Sequence, residues 1–548
     1  MTLDCLRGRY MPSAFISGDR YMSILLSRIF SFRTFSSAGI ALASVTLFAG
    51  SAFADDRAEC AKAAGQEAIN ACSRLISAGG LGSDAAAVFY NRGTAYPQPG
   101  GDTALADFNE ALRLDPKFAA AYTARGTAYW FRGKPDLAFA DWTEAIRLAP
   151  NYPNPYLNAL PYMNRGALYY GRLHEFDKAI ADLDEAARLN PQNGLVLSNR
   201  GWVLGQQAQY ERSIADLDVA IKLMPNLAKA YNNRGYALGA IGQYDRAIAD
   251  LDTAIRLDAR DPQAWTNRGM MYDEKKQFER AMSDLNEAVR LDPKRTESLV
   301  GRAMIALDMG QLERALADAD EAVRLDPKMA RAYYARGSVR AKAGQLDPAI
   351  ADLNECIRLN PKFTRGYVKR AIVLTAKGDY GSAIVDLDEA IRQSPESAVA
   401  FLNRGVTFER QRLFDRALAD YLQVIRLDPN LAIAHYDAGG IYRELKQFDR
   451  SIASFSEAIR LNPSDAQAYV DRGVVRYLMN QFDDAIADYN DAIRLRPQHA
   501  LTYFNRGSAY RKKGQNEQAI ADYQKALELS PDLAIVKTKL QELGIRTL

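Results

Sequence analysis

A repeat of 34 residues constrains this chain more than any other feature. The triplet Asn-Arg-Gly, clearest at Asn505-Arg506-Gly507, recurs with Gly or Ala as its last residue. These markers are Gly93, Gly126, Gly166, Gly201, Gly235, Gly269, Ala303, Gly337, Ala371, Gly405, Gly439, Gly473 and Gly507. From Gly201 onward every spacing is 34 residues. The thirteen copies are numbered here as repeats 1–13, with the marker at position 8 of each. A fixed period of this size denotes helix–turn–helix units that stack in one dimension. A length of 548 residues therefore does not imply several globular domains.

Within the period, each recurring residue has a physical reason. Position 8 is small because the two helices of a unit approach closely there. Position 20 is Ala or Ser in every copy, for example Ala247, Ser451 and Ala519. Position 27 is Ala except at Cys356 and Val424, and position 32 is Pro except at Ala259. Proline cannot continue a helix and stops the second one. Positions 20, 21, 24, 27 and 28 are apolar at helical spacing, so the second helix is amphipathic and needs a stacked neighbour to bury its stripe. No run of alternating β-branched residues bounded by turns appears. The fold class is all-α.

These positions resemble the tetratricopeptide repeat (TPR) family from about Phe89 to the C-terminus. The resemblance implies an α-solenoid, a right-handed superhelix of about thirteen helix–turn–helix units with terminal caps. The array is expected over 86–531, with an atypical cap at 55–85 and a capping helix within 532–548 at Leu533–Leu543. Gln66–Ile76 mimics a second helix, with Ala68 at position 20 and Cys72 at position 24. Repeats 1–3 are irregular. A Pro/Gly turn, Tyr96–Gly101, is one residue short. Six extra residues lie between Gly126 and Gly166, in a Pro-rich junction (Asn151–Pro155, then Pro161) expected to form an extended loop. Such an insertion is either a binding loop or a tolerated surface insertion. Repeat 3 carries one extra residue near His174.

Residues 1–54 read as a signal segment rather than part of the fold. Arg28 and Arg33 precede the apolar run Ala38–Gly50, and Ala52-Phe53-Ala54 supplies a cleavage site. A mature start at Asp55 and an exported, periplasmic protein follow as expectations. The apolar run is short for a membrane span. Met22 is an alternative start, making Met1–Arg20 an extension. The segment holds five arginines and two aspartates. The whole chain is +3, so the mature protein is near neutral and offers no basic field for nucleic acid. In an exported protein a Cys60–Cys72 disulfide would stabilise the cap by roughly 3 kcal/mol in the chain-entropy model. Two buried free thiols are the other reading. Cys356 fills an alanine slot as an inert core residue. No CxxC pair or histidine cluster offers a metal site.

Position 7 departs from the family, which commonly has Leu there. It is Arg at Arg92, Arg125, Arg165, Arg200, Arg234, Arg268, Arg302, Arg336, Arg370, Arg404, Arg472 and Arg506. Position 23 is Asp at Asp107, Asp141, Asp182, Asp216, Asp250, Asp284, Asp318, Asp352, Asp386, Asp420, Asp488 and Asp522. Repeat 11 lacks both, with Ala438 and Ser454. We expect an Arg–Asp ion pair between the helices of each repeat, bidentate where the guanidinium fork allows. An arginine ladder for an anionic ligand is the competing reading.

By resemblance, positions 2, 5, 9, 12 and 13 of the first helices line a concave groove. Mapped here they include Trp130, Phe131, Met163, Tyr170, Trp202, Tyr236, Met270, Met304, Tyr334, Ile372, Val406, Tyr436, Tyr477 and Phe504. Apolar and aromatic surface of this extent marks interaction sites, unless the side chains pack between units. Position 5 carries no Lys or Arg, so the carboxylate clamp of chaperone-binding TPR modules is absent. Asn at position 6 recurs at Asn91, Asn164, Asn199, Asn233, Asn267, Asn403 and Asn505. It resembles the asparagine ladder of the O-GlcNAc transferase superhelix, which grips a peptide backbone; a role inside the helices is the alternative. Ala124, Gly301, Ala335, Lys369, Asp437 and Asp471 interrupt it.

His174, His435 and His499 are far apart, and no nucleophile–base constellation or phosphate loop is present. The expectation is a non-enzymatic scaffold, without cofactor, that binds protein or peptide partners in the groove. A scaffold subunit of an envelope assembly such as polysaccharide secretion, and an accessory subunit of a glycan- or peptide-modifying enzyme, are the alternatives.

Overall fold

The computed structural model describes residues 51–62, 65–148 and 155–545. Among these residues lie twenty-nine α-helices and no strand. The expected signal segment before Ser51 and the Pro-rich stretch Asn151–Asn154 lie outside them. The described chain divides into two compact units, Ser51–Ile305 and Ala306–Ile545.

Each repeat is a helix pair, as in Ala228–Ala240 with Tyr244–Leu257 and in Ala398–Arg410 with Phe414–Leu427. Glycine at position 8 permits the close crossing. A Cβ on Gly405 would stand 2.7 Å from the Tyr421 ring, and one on Gly201 2.7 Å from Leu217 Cγ. Where position 20 is serine, its hydroxyl uses this proximity. Ser213 Oγ donates to the Gly201 carbonyl at 2.6 Å and Ser451 Oγ to that of Gly439 at 2.7 Å. The turn between the helices places position 15 in the left-handed region. Glycine fills it at Gly242, Gly310 and Gly514, whereas Ala208, Lys276, Arg412, Lys446 and Asn480 adopt the same φ with a side chain.

Among the described residues the N-terminal unit starts with a helix pair, Ser51–Ala61 and Gly65–Ala78. The first of these runs through the expected cleavage point after Ala54. Cys60, Ala71, Cys72 and Leu75 form a small core with Val88 of repeat 1. From Pro155 on, the junction before repeat 3 is helical where an extended loop was expected. The first helix of repeat 3 spans Pro155–Leu168, with Pro161 inside it. The insertion thus adds about one turn to the start of this helix. Pro155 opens it at a position where the missing N–H has no helical partner, and Pro161 forfeits one internal hydrogen bond. The extra residue near His174 is absorbed as a π-helical turn, Tyr169–Leu173, followed by His174 at φ 55°.

The C-terminal unit ends in the helix Ala534–Glu542. It buries Val536 and Leu540 against Tyr523 and Ala526 of repeat 13, and so covers the last amphipathic stripe. No described helix is long and apolar enough to cross a membrane.

Candidate partner-binding surface

The position-7 arginines are held in place by three groups. Arg234 Nε and Nη2 donate to the two carboxylate oxygens of Asp250 at 2.7 and 2.8 Å. Arg268 meets Asp284 at 2.8 Å twice, and Arg404 meets Asp420 at 2.8 and 2.7 Å. The same fork joins Arg92 to Asp107, Arg125 to Asp141, Arg165 to Asp182, Arg200 to Asp216, Arg336 to Asp352, Arg370 to Asp386, Arg472 to Asp488 and Arg506 to Asp522. These aspartates are buried except Asp216, which like the arginines is half-buried. In most of these repeats a ring at position 4 lies under the guanidinium, as Trp265 does 4.9 Å from Arg268.

The third group was missed in the sequence. The remaining nitrogen, Nη1, reaches back to position 25 of the preceding repeat: Arg234 to Asp218 at 2.7 Å, Arg404 to Asp388 at 2.6 Å, Arg506 to Asn490 at 2.6 Å. Arg302 likewise donates to Asn286 at 3.3 Å. Each arginine that forms the fork therefore ties its own two helices together and ties its repeat to the one before. The signal was present: where repeat 11 has Ala438 and Ser454, position 25 of repeat 10 is Leu422. The pairing leaves these guanidiniums with no free edge for an anionic ligand.

The residues expected to line the groove fall into two groups. Trp130, Met163, Tyr170, Trp202 and Tyr236 are buried. They belong to one continuous core through repeats 2–5, with Trp142, Leu183 and Leu217, and the Trp202 and Tyr236 rings sit 5.8 Å apart. These five are packing residues rather than ligand-facing ones, because large rings at positions 9 and 12 fill the space between neighbouring units. Phe131, Met270, Met304, Tyr334, Ile372, Val406, Tyr436, Tyr477 and Phe504 are half-buried. In the C-terminal unit the same face also carries exposed aliphatic side chains: Ile433, Leu478 and Leu501 are 37, 50 and 47% exposed.

The asparagine column is turned inward. Asn164, Asn199, Asn233, Asn267 and Asn403 are buried. Asn164 Nδ2 donates to Thr127 Oγ1 at 3.3 Å and Asn267 Nδ2 to Asn232 Oδ1 at 2.9 Å, each bridging to the preceding repeat. Asn233 Nδ2 reaches the Ser198 carbonyl at 3.5 Å, and Asn403 Nδ2 bonds the Val399 carbonyl within its own helix at 2.7 Å. Only Asn91 and Asn505 of the seven are half-buried. Position 6 is thus a buried polar site between repeats. That gives the two aspartates which interrupt the column a distinct character.

Asp471 has its charge met. Tyr436 Oη donates to it at 2.7 Å, Arg443 Nη1 at 2.9 Å and Gln467 Nε2 at 3.1 Å. Arg443 stands at position 12 of repeat 11. The equivalent of Arg443 in repeat 10 is Glu409, which is exposed and accepts from Tyr421 Oη at 2.8 Å. Asp437 therefore faces a second carboxylate in place of a cation. Burial, and then the Glu409 charge, push its carboxyl up to about 8. The residue is half-buried and keeps some contact with water.

Cys60 Sγ and Cys72 Sγ lie 2.10 Å apart. Cys356 is fully buried, and burial pushes its thiol up to about 12, which keeps it protonated and unreactive. No group of three or more His, Cys, Asp or Glu residues suited to a metal is found among the described residues.

A family model described as "Tetratricopeptide repeat" matches residues 101–153, 164–228, 232–296, 300–362 and 368–432. A "TPR repeat" model matches 439–480 and 475–512, and a further "Tetratricopeptide repeat" model matches 500–533. No curated protein sequence matches. Among solved structures, YrrB, described as a TPR protein with an unusual peptide-binding site, is 20% identical; the match covers 35% of this chain and 97% of that one, with a TM-score of 0.31. A MamA structure is 26% identical over 34% of this chain and 97% of that one, TM-score 0.29. The Cut9–Hcn1 hetero-tetramer of APC/C is 12% identical over 81% and 99%, TM-score 0.44.

Proposed function

The chain belongs to the tetratricopeptide repeat family, and on that premise we propose that it is a non-enzymatic scaffold holding protein or peptide partners on the first-helix face of its repeats. The observation that carries this reading is the face of the C-terminal unit. There Tyr334, Tyr436, Tyr477 and Phe504 stay half-buried beside the exposed Leu478 and Leu501. Rings with one side packed and one side open, next to aliphatic surface, are what a partner's side chains can cover with little loss of rotamer freedom.

We place the protein outside the cytoplasm, in a bacterial periplasm, with cleavage after Ala54. The charged and apolar pattern of Arg28 to Ala54 supports this, and the adjacent sulfurs of Cys60 and Cys72 are compatible with an oxidising compartment. N-terminal sequencing of the protein from a periplasmic fraction tests it; Asp55 is expected as the first residue, and an intact N-terminus in the cytosol overturns it.

The binding surface is tested by capture from envelope extract, comparing the chain with Tyr334→Ala, Tyr477→Ala and Phe504→Ala combined. Circular dichroism controls for folding. A partner lost only from the variant is the expected result. A partner retained by both moves binding off this face.

A further inference from the structure

Position 12 of one repeat faces position 6 of the next. In repeats 11 and 12 this register supplies Arg443 to Asp471 at 2.9 Å. In repeats 10 and 11 it supplies Glu409 to Asp437. No hydrogen bond or ion pair in the described structure brings a cation to either of these two carboxylates; Glu409 accepts only from Tyr421 Oη. An acidic pair at a site that buries asparagine in other repeats is costly for the chain by itself. It would be relieved by a positive charge from outside.

We propose that the first-helix face of repeats 10–12 holds the basic side chain of a peptide partner, with its guanidinium or ammonium group between Glu409 and Asp437. This inference rests on the scaffold reading and names the chemistry of what is held. The incoming cation takes the place that Arg443 takes one repeat later. Ile433 and Val406, at positions 2 and 9 of the same face, supply aliphatic surface for the stem and flanking residues. Water reaches Glu409, so the entry is open, while the partial burial of Asp437 strengthens the attraction once the cation is seated.

Binding then releases a proton. The carboxyl of Asp437, pushed up to about 8, is largely protonated at neutral pH. A seated cation favours its ionised form. Affinity for a basic peptide therefore rises as pH increases through about 8. The groups that face Asp437 are Glu409 from repeat 10, the Tyr421 hydroxyl from the second helix of that repeat, and Tyr436 on its own helix; beyond Tyr436 stand Asp471, Arg443 and Asp465. Burial holds both tyrosines well above their ordinary value, so they stay neutral over this range.

The test probes the full chain with a positional-scanning library of acetylated hexapeptide amides. The best binder is then titrated in solution beside its citrulline and glutamate counterparts. Arginine or lysine should be selected at one position, and citrulline should weaken binding at least tenfold. Glu409→Gln with Asp437→Asn should bring the arginine and citrulline peptides to equal affinity. Glu409→Arg should fill the site from within, as Arg443 does, and abolish the preference while the fold is kept. Equal affinity of the arginine and citrulline peptides, or a preference that survives both variants, overturns the proposal. Peptides bound with no basic preference overturn this inference and leave the scaffold reading standing. A library with no bound member also overturns it, and the scaffold reading then stands or falls on the capture experiment above.

Discussion

Repeats 2–5 and repeats 10–13 use the same positions for opposite ends. In repeats 2–5, Trp130, Met163, Tyr170, Trp202 and Tyr236 fill positions 5, 9 and 12 and merge into one core. In repeats 10–13, these positions hold Val406, Glu409, Tyr436, Arg443, Tyr477 and Phe504, which leave rings and charges reachable by water. One period therefore encodes either a stiffened segment or an open face. The choice lies in side-chain volume at three positions per repeat, not in the backbone.

The largest expected effect breaks this contrast directly. Trp202→Ala should destabilise its unit by about 3–5 kcal/mol, the usual range for removing a buried tryptophan, whereas the half-buried Tyr334→Ala should cost about 1 kcal/mol. Hydrogen exchange read repeat by repeat is the suitable measurement, since an array need not unfold in one step. Equal losses would erase the distinction between the two segments.

Next comes the arginine column, which both segments share. Arg234→Ala leaves the buried Asp250 unpaired and should cost about 2–3 kcal/mol; Arg234→Ala with Asp250→Ala should cost less than the single change. The two measured by urea unfolding form half of a double-mutant cycle. A double variant worse than the single one would mean the pair is a net stabiliser and that repeat 11, which lacks it, is the weakest unit.

A smaller effect separates repeat 11 from the rest by pH. The Asp437 carboxyl is pushed up to about 8, above its unfolded value near 4. The folded chain holds a proton that the unfolded chain has released, so stability falls as pH rises from about 4 to about 8, and the deficit is complete above that. Asp437→Asn should therefore stabilise repeats 10–12 by about 1–2 kcal/mol at pH 9 and have little effect near pH 4. A pH-independent difference, followed by thermal melting at both pH values, would refute this.

The smallest effect concerns the turns. Ala208 adopts φ 58° where Gly242 of the next repeat adopts φ 78°. Ala208→Gly should stabilise by about 0.5–1 kcal/mol, as relief of left-handed strain outweighs the added freedom of the unfolded chain. A loss of stability in the same unfolding assay would show that the alanine is unstrained.

Helix pairs, close crossings and the Arg–Asp register were legible because they repeat: the same residue types at positions 7, 8 and 23 average out local noise. What repeats in sequence does not state how deep it lies. Trp202 and Tyr477 occupy lining positions alike, and only the bulk of the neighbouring units decides that one is core and the other half-open. The reach of each arginine to position 25 was hidden for another reason. Where an arginine reaches it, that position varies among Asp, Asn, Ser and Thr, which share an acceptor oxygen but not a letter. The proline-rich junction misled because Pro155 reads as a breaker, although at the first turn of a helix it is well tolerated.

The column of arginines has one missing link. From repeat to repeat each guanidinium fastens a unit to its predecessor, but with Leu422, Ala438 and Ser454 in place no arginine ties repeat 11 to repeat 10. Seen as a rod under load, the C-terminal unit is a row of riveted plates with a single unriveted seam. Twist and bending should concentrate there, and a chain stretched between its ends in an optical trap should yield first at that seam. The acidic pair Glu409–Asp437 spans the same step. A ligand seated there would act as the absent rivet, so the site where a partner docks is also the place where docking would stiffen the array.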